Sequence, residues 1–356
     1  MPAAFRTVSD HLYNMSYPSP SGLSSAAPFV SPTGSAIGSP FASVIAWLDN
    51  LSAAVGAAFS MLPLAAQLVF AVALGLVVGS FLNVVIYRLP IILEREWRTQ
   101  ATEVLSTGSE GAAAPAPPST FTLSKPRSAC PQCKAPIKAW QNIPVVSWLV
   151  LRGRCAACKT KISARYPLVE LTTGLLSAWV AWHFGFGVSA ACGLLITWSL
   201  IALTGIDIDH QLLPDNITLP LMWAGLLAAV AWGPLTGSDL PVSTRDAVIG
   251  AAAGYASLWL VFHAFKLVTG KEGMGYGDFK LFAALGAWLG WKLLPLIIIL
   301  SAATGAVLGI LMIALQGRDR RAPMPFGPYL AAAGWLAMMY GDWLLNGYLR
   351  ISGLKH

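Results

Sequence analysis

The chain has 356 residues, of which 56% are hydrophobic and 11% charged, with a formal net charge of +7. A soluble globular chain carries about 25% charged residues, so a mean hydropathy of +0.63 excludes that class and predicts an all-α integral membrane protein. Apolar runs of roughly 20 residues recur, which favours a helical bundle over a barrel.

Residues 1–40 are rich in Ser, Pro, Ala and Gly and read as a disordered extension, with residues 41–62 as a possible interfacial helix. Arg6 is the one basic residue before residue 41, and no charged-then-apolar leader pattern follows it, so a cleaved signal peptide is not expected. The first span is predicted over 64–87, followed by a polar segment over 88–165. The rest, 166–350, is predicted to form a bundle with spans near 167–186, 188–206, 216–232, 246–265, 279–291, 293–315 and 327–346, for eight transmembrane helices in all.

Segment 88–165 holds 12 of the 23 Lys and Arg residues. Lys266, Lys271 and Lys280, then Arg318, Arg320 and Arg321, fall in later connections on the same side, whereas the opposite connections hold only Arg245 and Lys292. The bias makes the rich side cytoplasmic and places both termini outside. The positive charge therefore sets topology and attracts anionic lipid, and nucleic acid is not an expected partner.

Cys130-x-x-Cys133 and Cys155-x-x-Cys158 supply four thiolates from two tight turns, a strong zinc signature on the reduced side of the membrane. Four thiolates saturate the ion, so the metal is expected to be structural. Cys192, alone in an apolar run, reads as a buried small hydrophobe.

Six carboxylates fall at the cytoplasmic membrane edge: Glu170, Asp207, Asp209, Asp215, Glu272 and Asp278. Asp278 closes the string Gly273-Met274-Gly275-Tyr276-Gly277-Asp278, where Gly275 and Gly277 allow close backbone approach. Asp207 ends an apolar helix, where a negative charge opposes the dipole, so it is not explained as a cap. Asp207 and Asp209 are two apart and cannot form one pair on a helix, so a dyad needs partners from two helices. Two carboxylates sharing a proton can hydrolyse a peptide without metal, one as base on water and one as acid on the carbonyl. Asp215 is expected to cap the fourth span, Asp209 to pair with His210 or orient the site, Glu272 to be a solvated loop charge, and Glu170 to pair with an arginine.

An ordered set of strings carries a resemblance: Gly79-Ser80-Phe81-Leu82-Asn83-Val84-Val85-Ile86-Tyr87-Arg88-Leu89-Pro90, the two cysteine pairs, Arg165-Tyr166-Pro167-Leu168-Val169-Glu170, Asp207 to Asp215, and Gly273 to Lys280. Over residues 64–350 the chain resembles the type IV prepilin peptidases of pilus and type II secretion systems, aspartic membrane proteases with a Gly-x-Gly-Asp signature that also N-methylate their product. The resemblance implies that Asp207 and Asp278 are catalytic, with Asp209, Gly275, Gly277 and Glu170 supporting. It further implies S-adenosylmethionine as methyl donor, with Gly153 linked to methyl transfer. Type IV prepilins or type II pseudopilins are the implied substrates, cut at the cytoplasmic face of the bacterial inner membrane. A proton or ion transporter would place its carboxylates nearer the midplane. A non-catalytic zinc scaffold would leave Asp207 and Asp278 without a role.

Overall fold

A computed structural model of the chain describes residues 40–106, 121–233, 240–316, 325–351 and 353. Among the described residues the regular structure is helical, and β-pairing is confined to two isolated bridges. Helices α1 (Pro40–Ser60) and α2 (Leu64–Ser106) come first, then the short α3 (Val146–Val150) within the cysteine segment. They are followed by α4 (Arg165–Phe184), α5 (Val188–His210), α6 (Asp215–Trp232), α7 (Thr244–Thr269), α8 (Tyr276–Leu289), α9 (Leu294–Gln316) and α10 (Gly327–Ile351). Each of the eight expected spans coincides with one helix, α2 and α4 to α10. The expected disorder of residues 1–39 lies outside the described residues.

Length and hydropathy alone qualify fewer than eight. Five segments pass: Ser43–Ser60, Leu64–Leu105, Val188–His210, Thr244–Thr269 and Trp291–Met312. Among the others, α8 falls short for a physical reason. It has 14 residues, 11 of them buried, because it is the central helix and is solvated by protein rather than lipid. Phe279, Phe282, Leu285 and Trp288 place it in the main core. Gly250 and Gly254, four apart on α7, admit its backbone: a Cβ on Gly250 would collide with Gly286 O, and one on Gly254 would stand 2.7 Å from Phe282 O. Small residues at that spacing let membrane helices touch without side chains between them. On the other side Trp288 Nε1 donates to Leu221 O of α6 at 2.8 Å.

The first span does not stop at residue 87. α2 runs on through Pro90 to Ser106, so the polar segment opens as a helical continuation. Pro90 removes one N–H, and Leu89 and Leu93 beyond the expected boundary are buried against Ile206, which carries the helix past it.

The connections sort to two ends of the bundle. At one, Asp49 accepts from Trp232 Nε1 at 2.6 Å, Ser52 Oγ accepts from Val188 N–H at 3.1 Å, and Asp246 accepts from Trp291 Nε1 at 3.0 Å. The cysteine segment, the α5–α6 turn, the start of α8 and the start of α10 gather at the other.

Candidate active site

Asp207 lies in the last turn of α5 and Asp278 in the first turn of α8, and both are buried, at 5% and 6% exposure. They come from different helices at the same end of the bundle. Leu213, in the turn after α5, packs against the starts of α8 and α10. A Cβ on Gly277 would stand 2.7 Å from Leu213 Cβ, and one on Gly327 would stand 3.1 Å from Leu213 Cδ2.

Each carboxylate faces a helix N-terminus. Asp278 Oδ2 accepts from the Gly275 N–H at 3.1 Å, closing the first turn of α8. Asp207 Oδ2 accepts from the Gly327 N–H at 2.9 Å, at the start of α10. The positive pole of α10 thus offsets the unfavourable position of Asp207 at the negative pole of α5. Sequence reasoning missed Gly327, whose one local signal is the string Pro325-Phe326-Gly327-Pro328 at the mouth of the last span. A Cβ there would lie 2.5 Å from Asp207 Oδ2. Gly327→Ala should displace that carboxylate while leaving insertion normal, and lower the turnover of peptide cleavage by about 10²-fold, the effect of an ångström-scale misplacement. Near wild-type turnover in that variant would show that the Gly327 contact does not matter.

The two signature glycines differ in function. Gly277 is needed for the approach of Leu213, whereas a Cβ on Gly275 would meet Asp278 at an ordinary 3.6 Å. What Gly275 contributes is its N–H.

The neighbouring carboxylates are spoken for, and three of them differ from expectation. Asp209 pairs with Arg165 at 2.6 Å instead of His210, and Arg165 also donates to Gly205 O at 3.2 Å. Asp215 is not the cap of α6. Pro214 takes that position, and both Asp215 oxygens accept from Lys280 Nζ at 2.7 Å, because Lys280 projects from α8 alongside. Glu272 pairs with Lys266 at 2.8 Å, which holds its carboxyl below the usual range. These half-exposed pairs add little to stability, and among the described residues neither Asp207 nor Asp278 has a cation partner. Glu170 meets no arginine. It accepts from the Val145 N–H at 2.7 Å.

The cysteine segment folds as two copies of one turn. Cys130 N–H donates to Ala135 O at 3.0 Å and Cys155 N–H to Thr160 O at 2.8 Å. Lys134 and Lys159 follow each pair with φ of 59°, and the bridges Ala129–Pro136 and Arg154–Lys161 close the two turns. The four Sγ atoms lie within 4.8 Å of one another, with Cys130 and Cys158 3.8 Å apart. A tetrahedron with Zn–S bonds of about 2.3 Å needs sulfurs at this separation, so the residues fit zinc.

Gly153 has a packing role. Its φ is +65°, and a Cβ would stand 2.9 Å from the Trp148 ring, whose Nε1 donates to Ile162 O at 3.2 Å. A side chain there would break the second cysteine turn.

Comparisons with known proteins agree with this architecture. Residues 73–184 match the Bacterial Peptidase A24 N-terminal domain, and residues 194–310 match the Type IV leader peptidase family. A protein of Stutzerimonas stutzeri named prepilin leader peptidase/N-methyltransferase is 55% identical over 284 residues, 80% of this chain and 94% of the relative. Proteins of the same name from Pseudomonas aeruginosa and Neisseria gonorrhoeae are 54% identical over 282 residues (79% of this chain, 93% of the relative) and 51% identical over 275 residues (76% and 90%). No solved structure is significantly similar. With two domain models matched in order and relatives above half identity over nearly their whole length, the chain belongs to the type IV leader peptidase family.

Proposed function

We propose that the protein is a membrane aspartic endopeptidase that removes the short basic leader of type IV prepilin-like proteins and then N-methylates the new N-terminal residue. The observation that carries the hydrolytic half is the buried pair Asp207 and Asp278, on two helices at one end of the bundle, each held by a helix N-terminal amide. Two buried carboxylates at close range share one proton. The ionised member takes a proton from water as the oxygen attacks the scissile carbonyl carbon. The protonated member donates to the carbonyl oxygen, and collapse then breaks the C–N bond as the amine leaves with a proton. Asp209 and the two signature glycines hold this pair in place.

The concentration of Lys and Arg at the cysteine segment supports a cytoplasmic position for the site and the bacterial inner membrane as its location. A prepilin helix would stay in the bilayer with its leader junction at the mouth between α5 and α8. Glu272 is already paired with Lys266, and Glu170 is buried on α4 against the loop's Val145 N–H, so neither is placed to receive the leader's basic residues.

Methylation is assigned to the cysteine segment. A cleft of about 460 Å³ beside Gly153 is lined by Val150, Leu151, Arg152, Arg154, Cys155 and Lys159. One of its cationic side chains suits the single carboxylate of S-adenosylmethionine, and its aliphatic wall suits an apolar face. When bound, that cofactor supplies an electrophilic methyl group. The chain's own part is to hold the cut N-terminus and the cleft together at the bundle mouth. Purified protein incubated with a prepilin should yield a product lacking the leader, and a further gain of one methyl mass only when S-adenosylmethionine is added. A substrate that remains uncut would refute the peptidase reading, and a cut product that never gains the methyl mass would refute the second half.

A further inference from the structure

Glu170 is used by neither chemistry as described above, yet it is one of four charged side chains buried among the described residues, at 9% exposure, with Arg88, Asp207 and Asp278. None of the ion pairs includes it. Its carboxyl reaches out of α4 to a backbone N–H, that of Val145, at 2.7 Å. The residue it holds is an outlier: Val145 has φ 60° and ψ −50°. A β-branched residue at positive φ is strained and persists only where its surroundings impose it.

We propose that Glu170 is a positioning residue for methyl transfer, holding the strained Val145 turn so that α3 and the cleft beside Gly153 face the bundle mouth. The inference rests on the assignment of methylation to this loop. Val145 immediately precedes α3, and α3 carries Trp148 over Gly153 and donates through it to Ile162 O. The chain direction at Val145 therefore sets the direction of the whole second cysteine turn. The entry to the loop has its own anchor, since buried Arg88 of α2 donates to the Thr122, Leu123 and Pro126 carbonyls at 3.0, 3.3 and 2.8 Å. Asn83 of the same α2 string ties α2 to the start of α4, its Nδ2 donating to Tyr166 O at 3.0 Å. The opening turns of α4 thus contact both centres: Glu170 holds the loop, and Arg165 holds Asp209, two residues beyond Asp207. A loop without a hydrophobic core would otherwise sample many orientations, and few would present a methyl donor to an N-terminus fixed in the membrane.

The test compares Glu170→Ala with Glu170→Gln in the full-length, zinc-loaded protein, using an uncut prepilin and a precut pilin as substrates. The amide side chain still offers an oxygen to the Val145 N–H. Glu170→Gln should therefore stay within about threefold of wild type in both reactions, whereas Glu170→Ala should lose about tenfold or more in methylation turnover and little in cleavage. Hydrogen exchange supplies a readout independent of activity: amides 145–153 should exchange at least about tenfold faster in Glu170→Ala and not in Glu170→Gln. Val145→Pro approaches the same bond from the loop side, leaving the bundle intact; it has no N–H and cannot adopt φ 60°, so it should reproduce the Glu170→Ala pattern. Unchanged exchange at 145–153 in Glu170→Ala, equal losses in the Ala and Gln variants, or wild-type methylation in Val145→Pro would each overturn the proposal. A wild-type protein that shows the exchange effect on mutation but never transfers a methyl group would instead overturn the functional reading and leave the positioning intact.

Discussion

Asp207→Asn and Asp278→Asn are each expected to lower leader removal by about 10³-fold or more, and the double variant is expected to be no worse than either single one. Asparagine keeps the shape of the side chain and can still accept the Gly327 or Gly275 N–H, so folding and insertion should be normal. What it removes is the proton that the pair shares. Non-additivity is the sharper measurement, because two independent contributors would multiply their losses. Asp209→Asn and Asp215→Asn should lose far less, since their partners are Arg165 and Lys280 at the rim. The pH profile of cleavage should be bell-shaped, falling on the acid side as the pair becomes fully protonated and on the alkaline side as its shared proton is lost. Its two apparent pKa values would belong to the pair and to neither residue alone. An Asp278→Asn protein, folded and inserted, that still removed the leader at near wild-type rate would sink the assignment.

The second large effect is expected at the metal. The native protein should hold about one zinc, and Cys130→Ser combined with Cys155→Ser, one ligand from each turn, should abolish binding. The segment between residues 121 and 164 has little else to fold it, since Cys130 and Gly153 are its only buried residues among those described. Structural zinc contributes an apparent ~10–16 kcal/mol to such small knuckles, more than any other interaction available there. Protease sensitivity of the segment should therefore rise sharply in the double variant and methylation should be lost. Cleavage should fall only as far as the unfolded loop disturbs the mouth, because the aspartates need no metal. A native protein prepared anaerobically with zinc present that held none would refute the site. Loss of zinc with cleavage retained would establish that the metal is structural.

Local physics makes much of this legible in the sequence. Hydropathy places the spans because a helix in lipid must satisfy its backbone internally and cover itself with apolar side chains, and both demands are met within one segment. The zinc ligands follow from spacing, since two x-x turns bring four thiols together with little help from the bundle. Asp207 and Asp278 stand out as carboxylates where an apolar helix should not carry them. The helical continuation of α2 past Pro90 was hidden because a proline in the sequence signals an end, while burial of Leu89 and Leu93 outweighs it.

The tertiary structure decided what each of the remaining polar groups meets. Gly327 lies 120 residues from Asp207, and nothing within one window of sequence indicates that its N–H completes the site. Lys280 takes Asp215 away from the helix cap, and Val145 takes Glu170 away from the arginines, because a carboxylate accepts whichever donor the neighbouring helix presents. α8, short for a span by its own length, is secured by the glycine face of α7 and by Trp288 against α6. Segment class, the clustered cysteines and the out-of-place carboxylates come from residue chemistry, which acts locally. Partner choice comes from which helices lie side by side, and only the packed bundle contains that information.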